Sequence, residues 1–299
     1  MKTLGLVITD GVGFRNFILS DFLINAEKEF DEIVILSCLP AHVYKGHTTC
    51  RIIELEVFNE QYKTWFFRKA KEVAHLKLHA KDNLGIQDNL LTNTSKLKTT
   101  RGFGTRLIYK FTSGFHSEKH IQTYQNLQNF TFSNNKITKQ YQNILKEENF
   151  DLLFFTHQRP PYIAPLAYAA KKLKIKTAAF IFSWDNLASK GRMASNFDYY
   201  LVWSDLMKSD LLEFYKLVKP DEVKVVGTPQ FEPYVMPKYK MSKDAFYNLF
   251  QLNQNHKTIC FSCGDSSTSK NDELYIKTIA HAISNKTIEK VNLIVRTSP

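Results

Sequence analysis

With 299 residues, 43% of them hydrophobic, the chain is long enough for one large domain or two smaller ones, and its composition excludes general intrinsic disorder. Its 40 Lys and Arg residues against 29 Asp and Glu residues give a net charge of +11, which favours an anionic partner. Four scattered cysteines exclude a disulfide framework, and the lack of a long apolar run or a signal peptide predicts a cytoplasmic protein.

The N-terminal segment is predicted to form a βαβ unit. Residues 3–9 are an apolar, β-branched run that ends at a Gly-containing turn. Residues 14–30 then place apolar side chains at helical spacing, and residues 32–37 form a second apolar run. A strand, a helix and a strand in this order indicate a parallel sheet with right-handed crossovers.

The middle of the chain, about residues 60–147, has helical periodicity and interrupts this alternation. The alternation resumes with predicted strands at 151–156, 177–183, 198–203 and 222–227 and helices at 161–173 and 204–217. The strands are continuous apolar runs, as expected where helices cover both faces of a sheet. The predicted fold is therefore α/β, a Rossmann-like parallel sheet with a helical insertion.

A second domain is predicted after a proline-rich connector. Prolines at 229, 233 and 237 exclude a continuous helix or a central strand there, so we place the first domain at 1–236 and the second at 237–299. The second segment shows a helix, a strand, a helix and a strand. Because this unit buries too small a core to stand alone, we expect the incomplete start of a second Rossmann-like domain.

Three loops follow predicted strands, at the edge where open α/β sheets bind ligands. The first, residues 10–16, opens a helix and lacks the GxGxxG pattern of a dinucleotide site. It is either a tight turn capped by its aspartate or a substrate-binding loop. In the second interpretation Asp10 is a candidate catalytic residue, and the candidate binding residues are Gly11, Gly13, Arg15 and Asn16.

The second loop, residues 156–161, places His157 and Arg159 directly after a predicted strand and ahead of a proline-opened helix. His157 is a candidate general base because the pKa of an ordinary imidazole lies near neutrality. Arg159 is a candidate binding residue. An ordinary surface loop is the alternative for either residue alone.

The third loop, residues 183–192, combines an indole, a carboxylate, an amide, hydroxyls and two cations. Loops with so many polar groups usually bind a polar ligand. Its strand follows that of the second loop, so we expect both loops to line one crevice. Asp185 is a candidate catalytic residue, and the candidate binding residues are Trp184, Asn186, Ser189, Lys190 and Gly191.

Most of the excess positive charge lies between residues 60 and 119, which hold 12 Lys and Arg residues against 5 Asp and Glu residues. Bulky aromatic residues such as Trp65, Phe66 and Phe103 accompany it. Such helices favour the surface of an anionic bilayer, although an aromatic core beside a solvated basic face fits equally. No nucleic-acid motif accompanies the charge. The pairs His75/His79 and His116/His120 lack further metal ligands, so we expect no metal site.

Four stretches of the chain carry a resemblance to a known family. They are FIFSWDNLASKGRMASNFDYYLVWSDLMKSDLLEFY, VKVVGTPQFEPY, ICFSCGDSS and LIVRTSP. Together they resemble bacterial surface-carbohydrate glycosyltransferases of the GT-B fold, which are related to CDP-glycerol glycerophosphotransferases and UDP-sugar transferases and, more distantly, to UDP-N-acetylglucosamine 2-epimerases. The match is densest from Asp151 to Tyr234.

The resemblance implies an acceptor-binding first domain and a nucleotide-donor second domain. It places the third loop, with Thr228 and Gln230, on the acceptor side. It assigns donor binding to Arg296 and to Gly264, Asp265, Ser266 and Ser267. Ser298 stands where teichoic-acid relatives often carry His, which favours a sugar-nucleotide donor over a glycerol-phosphate donor.

The implied activity is transfer of a sugar from a nucleotide sugar to a surface-glycan or lipid-linked acceptor, without a metal or other cofactor. Asp10, His157 or Asp185 would remove the acceptor proton, and Arg296 would stabilise the leaving diphosphate. The alternatives are an epimerase-like enzyme acting on a UDP-sugar and an inactive binding or scaffold protein of a glycan system. We expect a cytoplasmic protein at the inner face of the membrane, with an anionic membrane surface as a candidate partner and no nucleic acid.

Overall fold

The computed structural model describes residues 1–81, 83–264 and 269–297. These residues form two compact units, Met1–Pro233 and Tyr234–Pro299. The first unit is built on one sheet of seven strands in the order β3-β2-β1-β4-β5-β6-β7, and every neighbouring pair is parallel. The strands are β1 (Thr3–Ile8), β2 (Glu32–Ser37), β3 (Arg51–Glu54), β4 (Leu152–Phe155), β5 (Lys176–Phe180), β6 (Tyr199–Val202) and β7 (Val223–Val225).

Helices cover both faces of this sheet. Outside the insertion they are α1 (Gly11–Ile18), α2 (Phe22–Ala26), α8 (Ala164–Lys172), α9 (Asn186–Ser189) and α10 (Asp205–Phe214). Successive strand residues point to opposite faces, so Leu6 and Ile8 pack into one core with Phe17 of α1. Val7 packs into the other core with Leu166 of α8. The predicted Rossmann-like α/β fold is confirmed.

The helical insertion lies between β3 and β4. Its helices are α3 (Tyr62–His79), α4 (Leu84–Thr92), α5 (Thr100–Phe111), α6 (Glu118–Phe130) and α7 (Lys136–Glu148). Helices α3, α5 and α6 share a core of their own, to which Trp65, Val73 and Ile121 belong. Trp65 is only 7% exposed, so the core interpretation of this aromatic residue is correct and the membrane interpretation is wrong for it.

Buried polar side chains join the insertion to the sheet. The ammonium group of Lys71, fully buried on α3, donates to Oε1 of Gln125 at 2.7 Å and to the carbonyl oxygen of Ala194 at 3.0 Å. Tyr141 of α7 donates to the carbonyl oxygen of Glu56 at 2.6 Å. The insertion is therefore fastened beside the carboxyl end of the sheet, next to the third loop.

The second unit contains two parallel strands, β8 (Lys257–Ser262) and β9 (Val291–Arg296), connected through α13 (Asp272–Ser284). The short helices α11 (Glu232–Val235) and α12 (Lys243–Leu249) precede them. A strand, a crossover helix and a parallel strand form one βαβ unit of the predicted kind. Asp265, Ser266 and Ser267 lie outside the described residues, as does Ser298.

Candidate functional site

The candidate site lies where the strand order reverses. The chain runs from β1 outward to β2 and β3 on one side, and it returns at β4 on the other side of β1. The connections that follow β1 and β4 therefore leave the sheet in different directions. In open α/β sheets this arrangement leaves a crevice at the carboxyl ends of the two strands, and ligands bind there.

Asp10 and His157 meet across this crevice. The Nδ1 atom of His157 lies 3.2 Å from Oδ2 of Asp10, although 147 positions separate the two residues. The other oxygen, Oδ1, caps α1 by accepting from the backbone N–H groups of Val12 at 3.1 Å and Gly13 at 2.8 Å. Asp10 thus caps the helix and contacts the histidine with the same carboxylate.

The carboxylate of Asp10 is ionised at neutral pH. Burial by itself raises its pKa, but hydrogen bonds from His157, Gly13 and Thr9 outweigh burial and lower the pKa to about 2. An ionised carboxylate accepts a hydrogen bond, so the proton of a neutral His157 resides on Nδ1 and Nε2 keeps its lone pair. Nε2 has no hydrogen-bond partner among the described residues, and the ring lines a cavity of about 530 Å³. His157 can therefore accept a proton from a bound hydroxyl group.

The surroundings of His157 hold its ring in place. The ring stacks on Phe182 with the centroids 4.1 Å apart and an angle of 22° between the planes. Gly13 allows α1 to approach the end of β4, because a Cβ atom there would lie 2.7 Å from Oγ1 of Thr156. That hydroxyl donates to the carbonyl oxygen of Val7 at 2.8 Å. Gly13 therefore has a packing role in this site.

Gln158, a buried residue that the sequence did not single out, joins the second loop to the third. Its Oε1 accepts from the backbone N–H of Phe182 at 3.0 Å, and its Nε2 donates to Oδ1 of Asn186 at 3.1 Å. Its carbonyl oxygen accepts from the N–H of Ala194 at 3.1 Å. The two loops are therefore neighbours along one edge. The one feature of the sequence that could have pointed to Gln158 is its place in the loop that follows a buried strand.

Asp185 contacts its own loop. Its carboxylate accepts hydrogen bonds from the hydroxyl groups of Ser183 and Ser189 and from the amide of Asn186. Burial raises the pKa of Asp185, but hydrogen bonds from Ser183 and Asn186 and the charge of Lys190 outweigh burial and lower the pKa below its usual value, so the group is ionised. Among the described residues, the hydrogen-bond partners of this carboxylate all belong to its own loop, so Asp185 helps to hold the loop in shape. Trp184 beside it is 68% exposed.

The remaining candidates in the first unit occupy different places. Arg15 is exposed on α1 and donates to Oδ1 of the buried Asn16 at 3.0 Å, and Gly11 is exposed. Gly191 lies against α3, since a Cβ atom there would be 3.0 Å from Cβ of Glu72. Thr228 caps a short 3-10 helix through the N–H of Gln230 and lines a different, mainly apolar cavity of about 290 Å³.

In the second unit, Gly264 and Arg296 lie at the same end of the two strands. The N–H of Gly264 donates to Oδ2 of Asp272 at 2.9 Å. Arg296 is the last residue of β9, and its carbonyl oxygen accepts from the N–H of Cys263 at 2.9 Å. The two described residues of the expected donor site are therefore neighbours at a carboxyl edge.

The two histidine pairs have different surroundings. The rings of His75 and His79 are 4.8 Å apart on α3. Burial and the nearby Arg192 lower the pKa of His75 well below its usual value, so this imidazole is neutral. His116 precedes α6 and contacts the carbonyl oxygen of Thr112, whereas His120 lies within α6, so the two residues do not share one helix. Within the described ranges no group of three His, Cys, Asp or Glu residues is arranged to hold a metal ion.

Helix α5 carries an exposed face of mixed character. Phe103 is 63% exposed and Leu107 is 44% exposed, and Arg106 and Lys110 are exposed beside them. Among the described residues, the structure has no helix of the length and apolar character that crossing a membrane requires. Helix α5 therefore keeps exposed some of the basic and aromatic residues that the sequence places between residues 60 and 119.

Neither a protein-family model nor a curated protein matches the chain. Solved structures do match. The chain is similar to a UDP-GlcNAc 2-epimerase from Methanocaldococcus jannaschii, with 10% identity over 99% of this chain and 66% of that one and a TM-score of 0.52. It is similar to the MnaA-UDP co-structure from S. aureus, with 9% identity over 100% of this chain and 62% of that one and a TM-score of 0.50.

A glycosyltransferase from Rickettsia africae also matches, with 14% identity over 99% of this chain and 69% of that one and a TM-score of 0.47. The chain spans less than two thirds of the length of the first two proteins. At these identities the likeness shows the fold alone, a Rossmann-like α/β architecture.

Proposed function

We propose that this protein is a nucleotide-sugar-dependent glycosyltransferase that moves a sugar to a hydroxyl group of a surface-glycan or lipid-linked acceptor. The observation that carries the proposal is the pairing of Asp10 with His157 at the reversal of the strand order. The resemblance of the 151–234 region to surface-carbohydrate glycosyltransferases supports the same conclusion. In this proposal the second unit takes part in donor binding through Gly264 and Arg296.

The mechanism assigns different parts to the two paired residues. The acceptor hydroxyl lies in the crevice, and its proton moves to Nε2 of His157 as the oxygen attacks the anomeric carbon. The bond from that carbon to the diphosphate oxygen breaks, and the electron pair leaves with the nucleoside diphosphate. Asp10 orients the ring through Nδ1 and stabilises the imidazolium that forms. In this mechanism Asp185 does not take the proton, and its hydrogen bonds hold the third loop in shape.

The test is release of nucleoside diphosphate by the purified protein from a panel of UDP-, GDP- and CDP-sugars, with and without membrane extract as a source of acceptor. We expect release that depends on the extract, and a decrease on the order of a hundredfold or more in His157→Ala. Release that is equally fast in His157→Ala would contradict the assignment of the base.

The second candidate is an epimerase that acts on a UDP-sugar. It is favoured by one observation, that solved structures with a TM-score of 0.50 or more include a UDP-GlcNAc 2-epimerase. The two activities differ in their need for an acceptor. Conversion of UDP-GlcNAc to an epimer without added extract, followed by NMR, would favour the epimerase, whereas transfer of labelled sugar to the extract favours the transferase.

The acceptor side of the protein is proposed to face an anionic membrane. The supporting observation is α5, on which exposed Phe103 and Leu107 lie beside Arg106 and Lys110. Apolar side chains beside cations match the interface of a bilayer that carries negative lipids. This contact would bring lipid-linked acceptors close to the crevice.

A further inference from the structure

The cavity beside His157 is strongly cationic. It has a volume of about 530 Å³ and lies between α3 and α5 of the insertion and the second loop. Four of the side chains that line it are those of Arg or Lys, and one, that of Glu72, is a carboxylate. The cations are Arg68, Lys69, Arg101 and Arg159.

Within the described ranges, Arg68 is the one cation of the four that carboxylates neutralise. Arg68 donates to both oxygens of Glu60, at 2.7 and 2.8 Å, and to Oε1 of Glu72 at 2.7 Å. Lys69 donates to the amide oxygen of Asn93 at 3.1 Å, and Arg101 donates to a backbone carbonyl oxygen at 3.3 Å. Among the described residues, neither of these two cations forms an ion pair.

Of the four cations, Arg159 has the fewest hydrogen-bond partners among the described residues. Its Nη1 atom is buried and has no hydrogen-bond partner in the part of the chain that the structure describes. A guanidinium group held in a partly buried site without a counter-charge lowers the stability of the folded state, and an anionic ligand would supply the missing charge. Burial also lowers the pKa of Lys69, because the nearby carboxylate of Glu72 offsets only part of the cost of burying this ammonium group.

A smaller cavity extends the positive region toward the third loop. It has a volume of about 280 Å³, shares Lys69 and Arg159 with the larger cavity, and adds Lys190. Lys190 belongs to the loop that Asp185 shapes. The cations of the two cavities thus span the insertion, the second loop and the third loop, and His157 lies at the larger cavity.

We propose that this cavity binds the diphosphate group of the acceptor, held by Arg159, Lys69 and Arg101. The four cations exceed the carboxylates of Glu60 and Glu72 by two charges, which a diphosphate with its two or more negative charges matches, whereas a single carboxylate would leave half of the excess unpaired. The planar guanidinium of Arg159 suits bidentate contact with phosphate oxygens. This inference rests on the proposed function, since it places the acceptor hydroxyl beside His157.

The test is binding of inorganic pyrophosphate to the purified protein by titration calorimetry, which needs no turnover. We expect saturable binding in the parent and at least tenfold weaker binding in Arg159→Met. Lys139→Gln, which removes one exposed cation from α7, is the matched control and should bind as the parent does. The melting temperature of unliganded Arg159→Met should equal or exceed that of the parent, because no hydrogen bond is lost and an unpaired charge is removed.

Two further arms identify the source of the diphosphate. Vesicles that carry a polyprenyl diphosphate should displace pyrophosphate if the acceptor is lipid-linked, and a soluble sugar diphosphate should displace it if the acceptor is free. Either displacement supports the proposal. Failure of pyrophosphate to bind, or equal binding in Arg159→Met and the parent, would overturn it. Because binding is measured without a donor, this result is independent of whether the protein transfers sugar.

Discussion

The guanidinium group of Arg192, at the end of the third loop, lies in an ion pair with Glu118 at the start of α6. Its Nη2 atom is 2.5 Å from Oε1 of Glu118, and its Nη1 atom donates to Oε2 at 3.1 Å. The ring of Tyr215 lies 4.2 Å from the guanidinium carbon. Arg192 is almost fully buried, so its charge needs a partner, and the third loop obtains that partner from α6 of the insertion.

Glu118→Ala is expected to destabilise the protein strongly. Removal of this carboxylate leaves the buried charge of Arg192 without its partner, which costs on the order of 3 kcal/mol. The free energy of unfolding in urea measures the effect. Glu273→Ala, which removes a carboxylate from an exposed pair in α13, is the control and should change stability far less, because solvent screens an exposed ion pair. A similar small loss in Glu118→Ala would show that the pair does not support the loop.

The buried Lys71 predicts that stability rises with pH. Burial lowers the pKa of Lys71 to about 7, so between pH 7 and 10.5 the unfolded chain binds a proton there that the folded chain has released. The free energy of unfolding of the parent should therefore increase by about 2 kcal/mol from pH 7 to pH 9 through this group. Lys71→Met should lack that part of the increase, and an unchanged pH dependence in the variant would contradict the prediction.

Helix α5 predicts salt-sensitive binding to anionic vesicles. The parent should co-sediment with vesicles that contain phosphatidylglycerol and should be released as ionic strength rises, because salt screens the cations. Phe103→Gln should weaken binding about tenfold, since a phenyl ring no longer enters the interface. Phe130→Gln removes a similarly exposed ring from α6 and serves as the control. Equal binding to neutral vesicles at any salt concentration would exclude this surface.

Asp185→Ala tests whether this carboxylate is structural. Loss of its hydrogen bonds with Ser183 and Ser189 should lower the free energy of unfolding by about 1–2 kcal/mol. Ser189→Ala, which removes one of these donors, should cause about half that loss. Turnover should fall less in Asp185→Ala than in His157→Ala. A variant that melts normally yet has lost its activity would instead identify Asp185 as the base.

Much of the fold was predictable because buried parallel strands are continuous apolar runs. Strands β1, β2 and β4 are of this kind, and their positions agree with the structure. Strand β3 was missed because it is a four-residue edge strand with only Ile52 and Ile53 as apolar residues. The predicted helix over 14–30 is two helices, since α1 ends at Ile18 and α2 begins at Phe22.

The site was predictable only in part. Asp10 and His157 follow buried strands, and a parallel sheet brings such positions to one edge. Their contact also requires β1 to pair with β4, and this pairing across the long insertion cannot be derived from periodicity. The cationic cavity was not predictable. The spacing of apolar residues along α3 does not reveal that Trp65 packs in the core of the insertion while Lys69 lies at the cavity beside the second loop.

The pairing of Asp10 with His157 is tested most directly by a double-mutant cycle on the rate of nucleoside diphosphate release. The variants are Asp10→Asn, His157→Ala and the combination, and Asn retains the cap of α1 because it caps helices as well as Asp. We predict that each single change lowers the rate by about a hundredfold or more and that the combination is little slower than His157→Ala. A double variant whose rate is reduced by the product of the two single reductions would contradict the coupling of Asp10 with His157. A parental rate in Asp10→Asn would contradict it as well.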